Sequence, residues 1–306
     1  MYDVIIIGGG PAGLTAGLYT SRGRLKTLLI EKGLIGGLVT TTEWVENYPG
    51  FEEGVMGAEL AQKMQQQATK FGLEIKQAAV ERVSVDGKKK TITLDDGSQL
   101  EAKALILTTG AHPRTLKIPG EDEFRGKGVS YCATCDGAFF KDNDIAVVGG
   151  GDSAVQEAIF LTKFAKTVYV IHRRDKLRAE KILQERALSN PKIKFLWDSV
   201  VEKIDGDNSG VTSLLVKNVK TNENTKIDVQ GVFIYIGYNP NTEFMSGLAN
   251  LDKENYLITD ENMSTSSPGV YAAGDVRAKQ LKQIATAVGD GAIAGVEAEK
   301  YIEENY

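Results

Sequence analysis

Short apolar runs that end in glycine recur along the chain and predict buried strands. The first run is Val4–Ile7, and a glycine-rich turn follows it. Beyond the turn, Leu14, Leu18 and Tyr19 fall on one side of a helical pattern, which predicts an amphipathic helix. A similar order of apolar run, glycines and helical pattern returns at Ile145–Val148. The hydrophobic pattern therefore predicts an α/β fold that contains two similar units.

The glycines of the first unit have the spacing of a dinucleotide-binding turn. Gly8-x-Gly10-x-x-Gly13 stands between the predicted strand and the predicted helix, and a second apolar run ends in Glu31, 18 residues after Gly13. Such glycines let a pyrophosphate approach the backbone at a helix N-terminus, and the acid accepts hydrogen bonds from a ribose with a free 2′-hydroxyl. The alternative is a glycine-rich turn that holds no ligand.

The second unit repeats this motif with a different ending. Gly149-x-Gly151-x-x-Ala154 follows a predicted strand, but basic residues stand where the first unit has its acid. These basic residues are His172, Arg173, Arg174 and Arg178. Arginines bind a 2′-phosphate, which a carboxylate would repel, so the second site is predicted to bind NADPH. A solvated basic patch is the simpler alternative.

Two further segments support an internal duplication. Residues 105–115 and 233–242 each contain an apolar strand followed by G-x-x-P-x-T. Their shared positions are Gly110, Pro113 and Thr115 in the first copy and Gly237, Pro240 and Thr242 in the second. We therefore expect a duplicated nucleotide-binding unit with linkers at these prolines.

The only two cysteines of the chain, Cys132 and Cys135, form a C-x-x-C motif with Asp136 directly behind it. A structural zinc needs four ligands, and His112 and His172 lie 20 and 37 residues from the nearer cysteine, so we expect no metal. A redox-active dithiol fits better, because this spacing closes a small disulfide and favours a reactive thiolate. FAD in the first site and NADPH in the second supply its electrons.

Charge and composition exclude several other classes. The chain has 306 residues, is 42% hydrophobic and carries a net charge of −5, so nucleic acid and anionic membranes are not expected partners. It lacks a basic leader and an apolar run of membrane-spanning length, and two cysteines do not make a secreted disulfide framework. We therefore expect a cytoplasmic enzyme with no membrane span.

The order of motifs resembles that of the low-molecular-weight thioredoxin reductases over essentially the whole chain. The motifs are GGGPAG, TTTEWVENYPGF, CATCDG, GGGDSA, HRRDKLRA and AAGD. The resemblance implies a homodimer with two Rossmann-like domains of three-layer type. Residues 1–113 and 243–306 would form a discontinuous FAD domain, and residues 114–242 would form an inserted NADPH domain that carries the dithiol.

The resemblance also implies the reaction and the roles of the motif residues. Electrons would pass from NADPH through FAD to the Cys132–Cys135 disulfide and then to the disulfide of thioredoxin. Cys135 would face the flavin, Cys132 would attack thioredoxin, and Asp136 would be the general acid–base. A glutaredoxin-like protein or a peroxiredoxin system is the alternative partner, because it would use the same residues.

Motifs and resemblance together predict the cofactor contacts. For FAD these are Gly8, Gly10, Pro11, Ala12, Gly13, Glu31, Lys32, Gly36, Gly37, Leu38, Asn47, Gly274, Asp275, Lys282, Gln283 and Ile284. For NADPH they are Gly149, Gly151, Asp152, Ser153, Ala154, His172, Arg173, Arg174 and Arg178. Leu38 and Lys282 depart from the family pattern, where glutamine and arginine are common.

Overall fold

A computed structural model describes residues 1–245 and 247–306 and divides the chain into two compact units. Unit 1 contains Met1–His112 and Asn239–Tyr306, and unit 2 contains Pro113–Tyr238. Each unit is built around a largely or wholly parallel sheet. The predicted α/β fold with two Rossmann-like units is confirmed.

The elements follow one another in chain order. The strands are β1 (Tyr2–Ile7), β2 (Thr27–Glu31), β3 (Trp44–Val45), β4 (Val55–Met56), β5 (Glu74–Gln77), β6 (Val80–Asp86), β7 (Lys89–Leu94), β8 (Gln99–Leu107), β9 (Ala111–Pro113), β10 (Val129–Ser130), β11 (Asp144–Gly149), β12 (Thr167–Ile171), β13 (Ile193–Leu196), β14 (Ser199–Asp207), β15 (Gly210–Asn218), β16 (Asn224–Asp228), β17 (Gly231–Tyr235), β18 (Tyr238–Pro240) and β19 (Val270–Ala272). The helices are α1 (Pro11–Arg22), α2 (Gly57–Lys70), α3 (Ala133–Asp136), α4 (Asp152–Leu161), α5 (Lys181–Leu188) and α6 (Ile284–Asn305).

The sheet of unit 1 runs in the order β5-β2-β1-β8-β7-β6, and β19 pairs with β8. Strand β1 is apolar throughout its buried part because both faces of the sheet are covered. Val4 and Ile6 pack against α1 and α6, while Ile5 and Ile7 point to the opposite face, where β6, β7 and the C-terminal loops pack. This three-layer packing places the carboxyl end of β1 at the start of α1.

Unit 2 repeats this architecture with the parallel order β10-β17-β11-β12-β13. Helix α4 covers one face, on which Ile145 and Val147 lie. The antiparallel sheet β14-β15-β16 covers the other, on which Ala146 and Val148 lie. Among the described residues, no helix has the length and apolar character needed to cross a membrane.

The first glycine of each motif makes the same turn in both units. Gly8 has φ +109°, and a Cβ there would lie 2.3 Å from the carbonyl oxygen of Thr108. Gly149 has φ +149°, and a Cβ there would lie 2.3 Å from the carbonyl oxygen of Tyr235. Only glycine satisfies both conditions, because the backbone conformation is left-handed and the neighbouring strand leaves no room. The two turns support the internal duplication that the sequence predicts.

Candidate functional site

The glycine turn of unit 1 forms a cradle at the N-terminus of α1. A Cβ on Gly10 would have no heavy atom within 4 Å, whereas a Cβ on Gly13 would lie 2.0 Å from the carbonyl oxygen of Gly8. Gly10 therefore leaves open space above the first turn, and Gly13 lets the helix pack on the turn. Gly37 lies beside this space, since a Cβ on it would be 3.4 Å from the Gly10 Cα. Free amides at a helix N-terminus and open space suit a pyrophosphate.

Glu31 lies at the end of β2 beside this cradle. Its carboxylate accepts hydrogen bonds from the backbone N–H groups of Gly9, at 2.7 Å, and Gly33, at 2.8 Å. A carboxylate has about four acceptor positions, so it retains capacity for a ribose hydroxyl. A cavity opens next to it and is lined by Lys32, Val80 and Phe244 among others. Apolar walls with a polar edge are the arrangement that an adenosine group needs.

Asp275 has a buried carboxylate oxygen that is available to a ligand. Within residues 1–245 and 247–306, its Oδ1 atom has no hydrogen-bond partner, and the Lys279 Nζ atom stands 3.9 Å away. Burial raises the pKa of Asp275 above its ordinary value, against the opposing effect of Lys279 and Lys282. A buried unpaired oxygen needs a donor, and the hydroxyls of the flavin's sugar chain are suitable donors. Asp275 therefore fits the predicted FAD site.

The segment around Asp275 lies against the first turn of α1. A Cβ on Gly274 would approach the Ala12 Cβ to 2.9 Å, so two predicted FAD segments that are distant in sequence meet here. Lys282 packs over Tyr256, with its Nζ atom 4.0 Å from the ring centroid. Burial lowers the pKa of Lys282.

Asn47 and Gln283 also come together. The Asn47 Nδ2 atom donates to the Gln283 Oε1 atom at 3.2 Å, across 236 residues of sequence. Gln283 is the N-cap of α6 and forms a capping box with Thr286. Ile284 begins the helix directly after it. Leu38, the departure from the family pattern, is 40% exposed on the short helix 37–41.

The second cradle, in unit 2, has the same geometry. A Cβ on Gly151 would have no heavy atom within 4 Å, and α4 begins at the next residue. Ser153 is exposed in the first turn of this helix, while Ala154 is buried beneath it. The Asp152 Oδ1 atom accepts from the backbone N–H of Glu180 at 2.7 Å, which ties the helix start to the segment after the arginines. The second turn is thus open to a pyrophosphate in the same way as the first.

The basic residues after β12 divide into two kinds. Arg173, Arg174 and Arg178 are exposed and make no ion pair with any described residue. His172 is only 4% exposed, and its Nε2 atom lies 3.1 Å from the carbonyl oxygen of Lys176. Burial lowers the pKa of His172, and the three arginine charges lower it further. The exposed arginine side chains are available to bind a phosphate. The buried His172 ring instead packs against Gly150 and supports the glycine turn.

The dithiol motif forms a disulfide between Cys132 and Cys135, with the two Cα atoms 5.3 Å apart. It lies at the start of α3, and the Cys135 N–H lies 3.2 Å from the Cys132 Sγ atom. Cys132 is half-buried, while Cys135 is exposed. Both sulfurs are therefore paired with each other at the surface of unit 2.

Two hydroxyls that sequence reasoning missed hold this turn. The Ser130 Oγ atom donates to the Asp136 Oδ2 atom at 2.6 Å and accepts from the Cys132 N–H at 3.0 Å. The Tyr235 hydroxyl accepts from the Ala133 N–H at 2.8 Å. The nearness of Ser130 to the cysteines was the only signal in the sequence. Tyr235 is 102 residues away from Ala133 along the chain, so no sequence signal connects it to the cysteines.

Comparisons with known proteins agree with this geometry. The sequence model of the pyridine nucleotide-disulphide oxidoreductase family matches residues 2–291. Thioredoxin reductases of Listeria innocua and Bacillus subtilis are 51% and 48% identical over 99% of this chain, and the matches cover 95% and 96% of those proteins.

Solved structures give the same result. The thioredoxin reductase of Lactococcus lactis, described as an FR conformation, is 49% identical, with a TM-score of 0.97 over 99% of this chain and 100% of that one. The enzyme of T. acidophilum is 35% identical, with a TM-score of 0.93 over 98% of both chains. The chain therefore belongs to the pyridine nucleotide-disulphide oxidoreductase family and, within it, to the thioredoxin reductases. These enzymes use FAD and NADPH, which confirms the predicted cofactors.

Proposed function

We propose that this chain transfers electrons from NADPH, through FAD, to its own Cys132–Cys135 disulfide and then to the disulfide of a thioredoxin. The net reaction converts NADPH, one proton and thioredoxin disulfide into NADP⁺ and thioredoxin dithiol. The disulfide itself carries this proposal, because it is closed and lies in the same unit as the arginine-flanked cradle. Cys135 is an exposed residue and Cys132 is half-buried, so the disulfide is accessible to exchange.

Each cofactor is assigned to one unit. We place FAD on unit 1, on the residues predicted for it. The support is the open Gly10 and the Asp275 Oδ1 atom, which has no hydrogen-bond partner among the described residues. We place NADPH on unit 2. The support is the open Gly151 and the exposed guanidinium groups of Arg173, Arg174 and Arg178, which form no ion pair within the part of the chain that the structure describes. We therefore also propose the predicted domain bounds. Residues 1–113 and 243–306 would form the FAD domain, and residues 114–242 would form the NADPH domain.

The chain's own residues carry the exchange step. When bound, FAD supplies the two electrons that open the disulfide. The Cys132 thiolate attacks one sulfur of thioredoxin, and the other sulfur leaves as a thiolate. Asp136 takes the proton of the Cys135 thiol and delivers it to that leaving thiolate. The Cys135 thiolate then attacks the Cys132 Sγ atom, which re-forms the disulfide and releases the second thioredoxin sulfur.

We also propose a cytoplasmic homodimer. The family resemblance supports the dimer, and a dithiol that cycles between redox states in a chain with no further cysteines suits a reducing compartment. Sedimentation equilibrium on the FAD-loaded protein should give twice the 33.2 kDa of one chain. A mass that stays at one chain across the concentration range would exclude the dimer.

Steady-state oxidation of NADPH tests the reaction. With thioredoxin disulfide present, the FAD-loaded enzyme should consume one NADPH for each disulfide reduced. Cys132→Ser and Cys135→Ser should lose disulfide reduction, because one serine cannot take part in a thiol–disulfide cycle, but both should still let NADPH reduce the flavin. Full disulfide reduction by either variant would overturn the proposal.

A further inference from the structure

The Ser130 hydroxyl connects the backbone of one cysteine to the side chain of the predicted acid. Ser130 is 5% exposed, so its hydroxyl is largely shielded from water. Its Oγ atom lies 2.6 Å from the Asp136 Oδ2 atom and 3.3 Å from the Cys132 carbonyl oxygen. The single hydroxyl proton belongs to the shorter contact with the carboxylate, because charge-assisted hydrogen bonds are shorter and stronger. Its lone pair accepts the Cys132 N–H at 3.0 Å.

The position of Ser130 follows from the sheet of unit 2. Ser130 ends β10, which pairs in parallel with β17 so that Ser130 stands beside Phe233. Tyr235 lies two residues further along β17 and receives the Ala133 N–H. Burial raises the pKa of Tyr235 well above its ordinary value, so its hydroxyl stays protonated. Two neighbouring strand ends therefore hold the turn that carries the disulfide.

This arrangement gives the Asp136 carboxylate a fixed orientation. Asp136 is half-buried in the last position of α3, which has a single turn. A helix this short is a weak support by itself. The bond from Ser130 attaches the Oδ2 atom to a strand end, and the same Oγ atom holds the Cys132 amide. The Ser130 Oγ atom thus fixes the position of the Asp136 carboxylate relative to the Cys132 backbone.

We propose that Ser130 is a positioning residue for proton transfer during thiol–disulfide exchange. The proton moves from the Cys135 thiol to Asp136 and then to the departing thiolate of the substrate, and Ser130 itself gains and loses none. Ser130 fixes the Asp136 Oδ2 atom relative to Cys132. It thereby keeps the Asp136 carboxylate close to the Cys135 thiol that forms when the disulfide opens. This inference rests on the proposed function and adds a residue to it.

Ser130→Ala in the FAD-loaded enzyme tests the role. Hydrogen bonds to charged groups are among the stronger ones, so kcat for thioredoxin disulfide should fall about tenfold or more. The KM for thioredoxin and the rate at which NADPH reduces the flavin should not change, since neither uses the proton of Asp136. Ser130→Thr keeps the Oγ atom and should restore the rate.

A double variant separates positioning from packing. In an Asp136→Asn background, Ser130→Ala should cause little further loss, because the two residues act through one contact. Ser213→Ala is the matched control: Ser213 is a buried serine of the same unit whose hydroxyl has no partner among the described residues, and its loss should leave kcat unchanged.

The outcomes are distinct. A Ser130→Ala enzyme as fast as wild type, an equal loss with Ser130→Thr, or a full additional loss in the Asp136→Asn background would each overturn the role of Ser130. Failure of the proposed function would show differently, as a wild-type enzyme that does not reduce thioredoxin at all. A general folding defect would slow flavin reduction by NADPH as well, and that result also counts against a positioning role.

Discussion

Lys90 is a charged residue in the interior of unit 1. Its side chain is fully buried, and its Nζ atom lies 3.1 Å from both the Lys88 carbonyl oxygen and the Tyr301 hydroxyl. No carboxylate among the described residues forms an ion pair with it. Burial lowers the pKa of Lys90 from 10.5 to about 8, with a smaller contribution from the charge of Lys88. The folded protein thus disfavours the charged form that the unfolded chain carries.

Lys90→Met should therefore change the pH dependence of stability. A lowered lysine pKa costs stability fully below about pH 8, and the cost disappears as pH rises towards 10.5. The cost at pH 7 is about 3 kcal/mol at most, because each pKa unit is worth about 1.4 kcal/mol. Thermal melts should show Lys90→Met more stable than wild type at pH 7, with the difference shrinking towards pH 10. A difference that is constant with pH would mean that the pKa of Lys90 is the same in the folded and the unfolded chain, and would contradict this account.

At the residue scale, the spacing of the cysteines and of the motif glycines predicted a redox dithiol and two dinucleotide-binding turns. The role of Asp136 was implied by the resemblance to the thioredoxin reductases. Ser130 and Tyr235 were missed because their contacts depend on how β10 pairs with β17. His172 was predicted as an NADPH contact together with the arginines, but its ring is buried while the arginine side chains are exposed. A run of basic residues in a sequence does not show which of their side chains points into the protein.

At the scale of the element, the second and third glycines of the first motif, Gly10 and Gly13, have different roles. Gly10 has open space above it, while Gly13 touches the carbonyl of Gly8 through the position that a Cβ would take. The first property serves a ligand, and the second serves the packing of α1 on the turn. The sequence motif shows the spacing of these glycines but not this division of roles.

Gly10→Ala and Gly13→Ala form a matched pair for this difference. In the FAD-free protein, Gly13→Ala should lower the melting temperature, because overpacking costs about 1–3 kcal/mol. Gly10→Ala should melt close to wild type yet bind FAD more weakly, since its methyl group occupies the approach of the pyrophosphate. Thermal melts and flavin-fluorescence titrations measure the two effects. Equal melting temperatures for both variants would contradict the packing role of Gly13.

The basic segment after β12 can be tested for its role in distinguishing NADPH from NADH. Arg173→Ala and Arg174→Ala should each raise KM for NADPH about tenfold or more, because a hydrogen bond to a charged phosphate is lost. NADH lacks that phosphate, so its KM should change little. Lys203→Ala, which removes a charge from β14 in the same unit, is the control and should affect neither coenzyme. Equal losses for NADPH and NADH would show that the arginines have a structural role.

At the scale of the whole molecule, the sequence indicated an internal duplication because each copy has a strand, a glycine-rich turn and a helix in the same order. Strand Thr27–Glu31 lies where the apolar run that ends in Glu31 predicted it, and its counterpart Thr167–Ile171 ends directly before the basic residues that begin at His172. The hairpin turn at Gly97, with φ +77°, likewise joins β7 to β8 as its Asp-Gly sequence indicates. The pairing of β10 was not predictable, because a two-residue strand has no periodicity of its own. Its partner β17 lies about a hundred residues away.

The central claim is that NADPH electrons reach the Cys132–Cys135 disulfide through FAD. Because these are the only cysteines, every thiol that appears in the chain belongs to this pair. The FAD-loaded protein is mixed anaerobically with NADPH, treated with an alkylating reagent under denaturing conditions, and analysed by mass spectrometry. We expect no alkylated cysteine before NADPH is added, two afterwards, and none when FAD has been removed. A disulfide that stays closed in the loaded protein, or that opens without FAD, would contradict the account.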